Sequence, residues 1–310
     1  MTTLRERLDD YIGMRRSLGF QLNELERQVG QFCVWLQDRD QTQSFSIDDA
    51  VTWARLNPEA HPSWWATRLS LVRTFAAYLN ANGVDVPIIP SGLLPATKPR
   101  AVPFIYSKDD IDALIAACGT YLTDERISAT VRTIIGLLIA TGIRISEALN
   151  LRVDDIDEGN HVLVIRAGKS DERVVPVHVS TITALKNYLD LPARIATRPD
   201  PHGPVFVSAK GTAYAYVSIQ SLFQRVREAA GLTARGRARP RLHDLRHTFA
   251  TAHMTAAYVH AGDPDRVLTL LASWLGHSSP AHTYWYISAT GELMAQAASR
   301  LEPPRQGAPS

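Results

Sequence analysis

Residues 242–248 read Leu-His-Asp-Leu-Arg-His-Thr and place His243 three positions before Arg246. On a helix, residues three apart lie on one face, so both side chains can reach the same bound group. An arginine guanidinium stays charged at any working pH and donates paired hydrogen bonds to phosphate oxygens. A histidine beside it can bind or release a proton near neutral pH. The stretch therefore predicts a helix that carries a phosphate site near its start.

Two further stretches supply groups of the same kind. Residues 140–147 read Ala-Thr-Gly-Ile-Arg-Ile-Ser-Glu, and residues 275–279 read Leu-Gly-His-Ser-Ser. An apolar helix is expected to end at Gly142, so Arg144 begins a new short helix whose first N–H groups can bind an anion. The second stretch contributes His277. Two arginines and two histidines can clamp a phosphodiester, whose transition state gathers charge on its non-bridging oxygens.

Residues 283–286 read Thr-Tyr-Trp-Tyr and offer two candidate nucleophiles, Tyr284 and Tyr286. A tyrosine hydroxyl has an ordinary pKa of about 10 and attacks poorly at neutral pH. Guanidinium groups nearby favour the phenolate and remove that obstacle. In a helix the two tyrosines point about 200° apart, so only one can face the phosphate. On spacing alone, both remain candidates.

Two short β-like runs in the middle of the chain predict a β-hairpin. Residues 162–165 and 173–177 are its strands, and the turn from Ala167 to Asp171 carries Lys169 at its tip. An ammonium group beside a departing alkoxide can protonate it. Lys169 is therefore a candidate general acid.

The apolar periodicity predicts a mainly α-helical chain with a small β-sheet, and 310 residues are long for a single core. Residues 1–85 read as a domain of four helices. Residues 86–103 contain five prolines and predict an extended linker. Residues 104–302 are expected to form a mixed α+β domain, and residues 303–310 a disordered tail.

The net charge of +2 is nearly balanced, but arginines crowd the stretch between residues 225 and 246. This run predicts a local basic surface, which is typical of a protein that binds a phosphate backbone. The candidate DNA contacts within it are Arg235, Arg237, Arg239 and Arg241.

Other features favour a cytoplasmic protein with no membrane anchor. No apolar run approaches the ~20 residues that span a bilayer, and the charged N-terminal residues do not resemble a signal peptide. Cys33 and Cys118 lie in apolar, helix-like contexts, which favours reduced core thiols over a disulfide.

Taken together, these motifs resemble the tyrosine recombinase (phage integrase) family. Residues 140–149 are similar to the family's first-arginine box, residues 243–251 to its His-x-x-Arg box, and residues 275–279 to its Leu-Gly-His box. The four N-terminal helices resemble the family's core-binding domain, which binds DNA. Residues 283–290 are most similar to recombinases carried by transposable elements. The resemblance implies that residues 104–302 are the catalytic domain.

The resemblance also implies a role for each motif residue. In that family the nucleophile follows the last histidine by nine residues, which selects Tyr286 over Tyr284. His243 would assist proton transfer at the tyrosine, and His277 would bond a non-bridging oxygen. His247 would have a structural role. The implied activating residues are Arg144, Lys169, His243, Arg246 and His277.

The implied reaction cleaves and rejoins DNA through a 3′-phosphotyrosyl link, in integration, excision or transposition. It needs no metal and no cofactor, because the link stores the energy of the broken bond. The implied partners are double-stranded DNA with specific recombination sites and a tetramer, either of this chain or mixed with related recombinases. A last helix over residues 291–301 either docks on a neighbouring protomer or folds back on its own domain.

Three other functions can be drawn from the same residues. A metal-dependent phosphohydrolase would use His243, Asp244 and His247 as ligands, although Asp244 points off the face that the two histidines share. A catalytically weak regulator would only bind DNA, but all six expected catalytic positions are filled. A type IB-like topoisomerase would share the chemistry and relax supercoils without exchanging strands.

Overall fold

A computed structural model describes residues 2–97, 101–167, 171–259 and 263–276 of the chain. The chain falls into two compact units, Met1–Arg100 and Ala101–Ser310. Both are dominated by helices, and the second also contains a small sheet, which confirms the predicted fold class.

The first unit consists of helices that follow one another through short connections. Ser46 caps the third of them, because its hydroxyl accepts the backbone N–H of Asp49 and the Asp49 carboxylate accepts the N–H of Ser46. The helices are α1 (Leu4–Ser17), α2 (Asn23–Gln37), α3 (Ile47–Ala54) and α4 (Pro62–Ala81).

An aromatic cluster fills the core of the first unit. Phe32 lies at its centre, with ring centroids 5.1 Å from both Phe45 and Trp53. Val86 and Ile89 are buried in the same core, although both belong to the predicted linker. Residues 86–103 are therefore not extended linker throughout, because the first part of the segment packs against the helices of this unit.

The second unit contains the remaining helices. The longest of its described helices, α6, packs against α5, α8 and α11 and so runs through the middle of this core. The short α9 was not predicted, and it begins with a proline, which suits the first turn of a helix. The helices are α5 (Lys108–Tyr121), α6 (Glu125–Thr141), α7 (Ile145–Asn150), α8 (Val179–Leu189), α9 (Pro192–Ile195), α10 (Tyr216–Ala229), α11 (Asp244–Val259) and α12 (Pro264–Leu275). The predicted helix over residues 291–301 and the predicted tail over residues 303–310 lie outside the described residues.

The described strands form one antiparallel sheet in the order β1 (Ile156–Asp157), β2 (Val162–Ala167) and β3 (Asp171–Pro176). Val162 pairs with Pro176, and the register continues to Ala167 opposite Asp171. The predicted hairpin is thus present, and β1 is an addition too short for its periodicity to be recognised. The three residues at the hairpin tip lie outside the described residues.

Two glycines end the helices that approach each other in the second unit. Gly142 follows α6 with a φ of 64°, and Gly276 follows α12 with a φ of 63°, a left-handed conformation that favours glycine. A Cβ on Gly142 would stand 2.4 Å from the Phe249 Cδ1 atom on α11. The absence of a side chain therefore lets the end of α6 lie directly against α11.

Within the described ranges, no helix combines the length and the apolar character needed to cross a bilayer. Cys33 and Cys118 are free and buried, as predicted, one in each unit. Burial raises the pKa of Cys33 to about 12 and that of Cys118 to about 11, so both thiols stay protonated at neutral pH.

Candidate active site

Arg246 lies on the first turn of α11 and is only 2% exposed. Its Nη1 donates to the carbonyl oxygen of Gly142 at 2.8 Å, and its Nη2 donates to the carbonyl oxygen of Leu275 at 2.7 Å. These carbonyls lie at the C-terminal ends of α6 and α12, where backbone acceptors lack helical partners and the helix dipole is negative. The guanidinium is therefore held rigidly where three helices meet.

Arg144 precedes α7 and is partly open to solvent, with 39% of its side chain exposed. Its Nη1 donates to Glu147 Oε1 at 2.9 Å, and its Nη2 donates to the carbonyl oxygen of Gly276 at 3.1 Å. Its backbone N–H donates to Glu147 Oε2 at 2.7 Å. The expectation that this N–H is free for an anion is wrong, because Glu147 already occupies it. An anion at this position would meet the guanidinium instead.

The two arginines converge on one helix end. Arg246 binds the carbonyl of Leu275, and Arg144 binds the carbonyl of the next residue, Gly276. Leu275 and Gly276 are consecutive residues, so both guanidinium groups are held at the same helix end. Two positive charges at one helix end are suited to bind a phosphate group.

His243 stands in the turn immediately before α11, and its ring lies 5.0 Å from that of His247 at nearly a right angle. The residue reaches solvent, yet packing on its inner side lowers the pKa of the imidazole. The positive charges of Arg246, Arg241 and Arg144 lower it further, and Asp244 opposes them only in part. The imidazole is therefore neutral at pH 7 and can accept a proton.

Asp244 is fully buried and binds the backbone of the turn that precedes α11. It accepts the backbone N–H of Arg241 at 2.9 Å and two guanidinium bonds from the same residue at 3.0 and 2.7 Å. No group of three or more His, Cys, Asp or Glu side chains in the described part of the chain is arranged to hold a metal ion. The role of Asp244 is thus to stabilise the turn that presents His243, which disfavours the phosphohydrolase interpretation.

The four predicted DNA contacts fall into two pairs. Arg241 is bound to Asp244, and Arg235 donates two hydrogen bonds to Asp110, at 2.9 and 2.7 Å. Arg237 and Arg239 are exposed and form no hydrogen bond or ion pair with other described residues. A tight turn with paired backbone bonds between Arg235 and Ala238 holds Arg237 at its tip. The pair Arg237 and Arg239 therefore has the free charge that a phosphate backbone would need.

Two residues of the site were not singled out in the sequence. Glu147 receives hydrogen bonds from Arg144 and, on both oxygens, from Arg173 of β3. Burial alone would raise the pKa of this carboxyl, but the bonds from Arg173 and Arg144 hold it below its usual value. The spacing of Glu147 three residues after Arg144 resembles a capping box and could have drawn notice. Nothing local marks Arg173.

Lys169, His277, Tyr284 and Tyr286 lie outside the described residues, so their positions in the site remain predictions. The described chain reaches Gly276, the residue immediately before His277, and β2 and β3 reach Ala167 and Asp171, the first and last residues of the predicted turn. Of the six predicted catalytic residues, the structure describes Arg144, His243 and Arg246, and it brings these three together.

Two arginines and a neutral histidine at one helix junction are suited to bind a phosphodiester. The model of the phage integrase family matches residues 105–292. The "Putative integrase/recombinase y4rB" of Sinorhizobium fredii is 38% identical over 308 residues, covering 97% of this chain and 98% of that protein. The tyrosine recombinase XerD of Mycobacterium tuberculosis is 30% identical over 272 residues, covering 86% and 78% of the two chains.

The fold is shared with solved structures as well. A crystal structure of a lambda integrase tetramer bound to a Holliday junction matches with a TM-score of 0.60 and 16% identity, covering 92% of this chain and 77% of that chain. The chain therefore belongs to the phage integrase family of tyrosine recombinases, and its enzyme class is that of a site-specific DNA recombinase.

Proposed function

We propose that this protein cleaves and rejoins DNA strands at specific recombination sites through a 3′-phosphotyrosyl link to Tyr286. The observation that carries the proposal is the convergence of Arg144 and Arg246 on the consecutive carbonyls of Leu275 and Gly276. Two guanidinium groups held at one helix end suit the charge that a pentacoordinate phosphorus transition state develops. The relatives reported above support the reaction class.

In the first step the Tyr286 oxygen forms a bond to the scissile phosphorus, and the bond from phosphorus to the DNA 5′-oxygen breaks. Neutral His243 takes the phenolic proton, and Lys169 supplies a proton to the departing 5′-oxygen. Arg144, Arg246 and His277 bind the non-bridging oxygens throughout. In the second step another 5′-hydroxyl attacks the phosphotyrosine and restores both the phosphodiester and the tyrosine.

We further infer the domains and the assembly. Residues 1–85 would bind DNA as the core-binding domain, and residues 104–302 would form the catalytic domain. Arg237 and Arg239 would contact the phosphate backbone, since both are exposed and unpaired among the described residues. Four protomers would act on two duplexes during integration, excision or transposition, as the lambda integrase tetramer on its Holliday junction suggests. Such an enzyme would work in the cytoplasm, where its DNA lies.

Covalent capture of a nicked suicide substrate in the presence of EDTA tests the proposal. After cleavage the short fragment that carries the new 5′-hydroxyl diffuses away. The covalent protein–DNA complex therefore accumulates and can be quantified on a denaturing gel. Tyr286→Phe should abolish the complex because the attacking oxygen is gone, and Tyr284→Phe should retain it as the matched control.

Two results would contradict the proposal. Capture by Tyr286→Phe together with its loss in Tyr284→Phe would assign the nucleophile to the other tyrosine. Cleavage that releases a free 3′-end and depends on a divalent cation would show that the protein hydrolyses DNA and does not transfer strands.

A further inference from the structure

Arg173, on β3, has no role in the proposed reaction. Its side chain is 14% exposed, and its guanidinium faces the carboxylate of Glu147 edge to edge. Nη1 donates to Oε1 at 3.0 Å and Nη2 donates to Oε2 at 2.8 Å. This two-point arrangement is the strongest geometry that an arginine and a carboxylate adopt.

The same guanidinium also holds the end of α12. Its Nε donates to the carbonyl oxygen of Trp274 at 2.8 Å. A Cβ on Gly276 would lie 3.1 Å from Nη1, so the glycine lets the helix end rest against the guanidinium. Arg173 therefore joins the hairpin, Glu147 and the helix end whose carbonyls bind both catalytic arginines.

The charges of Glu147 and Arg173 determine the net charge that surrounds Arg144. Glu147 is buried, and its hydrogen bonds keep its pKa low, so it is ionised at neutral pH. Arg144 and Glu147 alone would sum to zero charge beside the bound phosphate. With Arg173 the three side chains sum to one positive charge, because Arg173 compensates the carboxylate.

Hydrogen-bond geometry leads to the same result. Arg173 occupies one position on each oxygen of Glu147, and the guanidinium of Arg144 gives that carboxylate a single bond. An arginine has five N–H donors, and Arg144 spends one on Glu147 and one on Gly276. Its other donors remain available for a ligand. Without Arg173, the carboxylate would have two vacant acceptor positions and would draw Arg144 into a two-point pair.

We propose that Arg173 is a positioning residue that neutralises Glu147 and thereby leaves Arg144 able to bind the scissile phosphate. Because that phosphate belongs to the proposed strand transfer, the inference rests on the proposed function. Arg173 touches neither substrate nor nucleophile in this scheme, and it acts through Glu147.

The test compares single-turnover capture rates at saturating nicked DNA with the dissociation constant for the same DNA. Arg173→Met should slow capture by about tenfold or more, because it leaves a buried carboxylate uncompensated beside Arg144. DNA affinity should change far less, since most phosphate contacts lie elsewhere. Arg173→Lys keeps the charge without the two-point geometry, so its rate should fall between those of the wild type and the methionine variant.

A second substitution separates charge compensation from simple support of the fold. Glu147→Gln in the Arg173→Met background removes the uncompensated charge and should recover several-fold of the lost rate. Arg166→Met is the matched control, because Arg166 lies on β2 and pairs with buried Asp155 instead. Its capture rate should stay within about fivefold of the wild type, because Asp155 binds Arg166 and the backbone N–H of Arg152 and not a catalytic arginine.

The outcomes are distinct. Equal capture rates for the wild type and Arg173→Met would overturn the role of Arg173 while leaving the requirement for Tyr286 intact. Failure of Glu147→Gln to recover any rate in Arg173→Met, with Arg173→Lys as slow as Arg173→Met, would assign Arg173 to fold support alone. Absence of a covalent complex in the wild type would overturn the proposed function and this inference together.

Discussion

A buried arginine in each unit makes a useful comparison. In the first unit Arg68 lies 3.8 Å over the ring of Trp53 and donates one long bond, of 3.4 Å, to the carbonyl of Ala54. In the second unit Arg246 donates two short bonds to the ends of two helices. Arg68 fills space against an aromatic ring, while Arg246 is oriented by fixed acceptors. The difference shows that fixed acceptors, and not burial alone, set the direction of a buried guanidinium.

The two units also differ in how many polar side chains they bury. Among the described residues the first unit buries two polar side chains, those of Gln28 and Arg68. The second unit buries many more, and several of them carry charge. Buried charges cost free energy unless they are paired, so the second unit depends on complete hydrogen bonding where the first depends on apolar packing. The buried charged residues of the second unit are Asp110, Arg126, Glu147, Asp155, Arg194, Asp244 and Arg246.

Replacement of each arginine by lysine tests whether Arg246 and Arg68 differ in function. Arg246→Lys should lower the capture rate by about a hundredfold or more, on the scale of about 3 kcal/mol for one lost transition-state donor. A lysine ammonium cannot bind both helix ends and a phosphate in one plane. Arg68→Lys should leave the rate unchanged and cost about 1 kcal/mol of stability, from the weakened contact with Trp53. Single-turnover capture and urea denaturation measure the two effects, and a comparable rate loss in Arg68→Lys would erase the distinction.

Alanine substitution of one glycine in each unit compares the free energy of unfolding at a crowded and at an open position. Gly142→Ala combines a φ of 64° with a Cβ 2.4 Å from Phe249, and it should cost about 2 kcal/mol or more of unfolding free energy. Gly83→Ala in the first unit has a φ of 74° but meets nothing within 4 Å, so it should cost about 1 kcal/mol. Urea denaturation of the full chain gives both values. Equal losses would mean that the approach of α6 to α11 is not tight.

The smallest expected effect concerns pH. Because the pKa of His243 is lowered from its ordinary value of about 6.5, the imidazole stays neutral until the pH falls well below that value. The capture rate at sub-saturating DNA, which reports the free enzyme, should therefore begin to fall only below pH 6.5 and then drop about tenfold per unit.

Two variants act as controls for the pH profile. His243→Gln should remove the acidic decline, whereas His61→Gln in the first unit should leave it unchanged, because His61 caps α4 and belongs to none of the catalytic motifs. An acidic decline centred above pH 6.5 in the wild type would contradict a neutral, desolvated His243.

Local chemistry explains which parts of the structure the sequence predicts. Ser46 and Ser107 are residues of the type that begins helices, because their hydroxyls accept the first free backbone N–H groups. The hairpin is recognisable because β-branched residues flank a turn. Arg144, His243 and Arg246 are recognisable as a set because their chemistry converges on one ligand.

Pairings between distant residues are what the sequence does not predict. Arg173 and Glu147 are 26 residues apart, and Arg235 and Asp110 are 125 residues apart. Any arginine in the chain has many carboxylates to choose from, and only the packing of α5, α7 and β3 selects one. For the same reason Arg235 and Arg241 read as free basic residues, although each is already bound to a buried carboxylate.

The bonds from Arg246 to the ends of α6 and α12 carry an evolutionary consequence. A chain that stopped recombining DNA would still need this arginine to keep the two helix ends together, so selection for a stable fold would preserve it. Tyr286 is required by the proposed reaction itself, so selection on that position would weaken once recombination stopped. Among inactive descendants of this protein, the arginine should therefore outlast the tyrosine, and loss of the tyrosine is the earlier sign of lost activity.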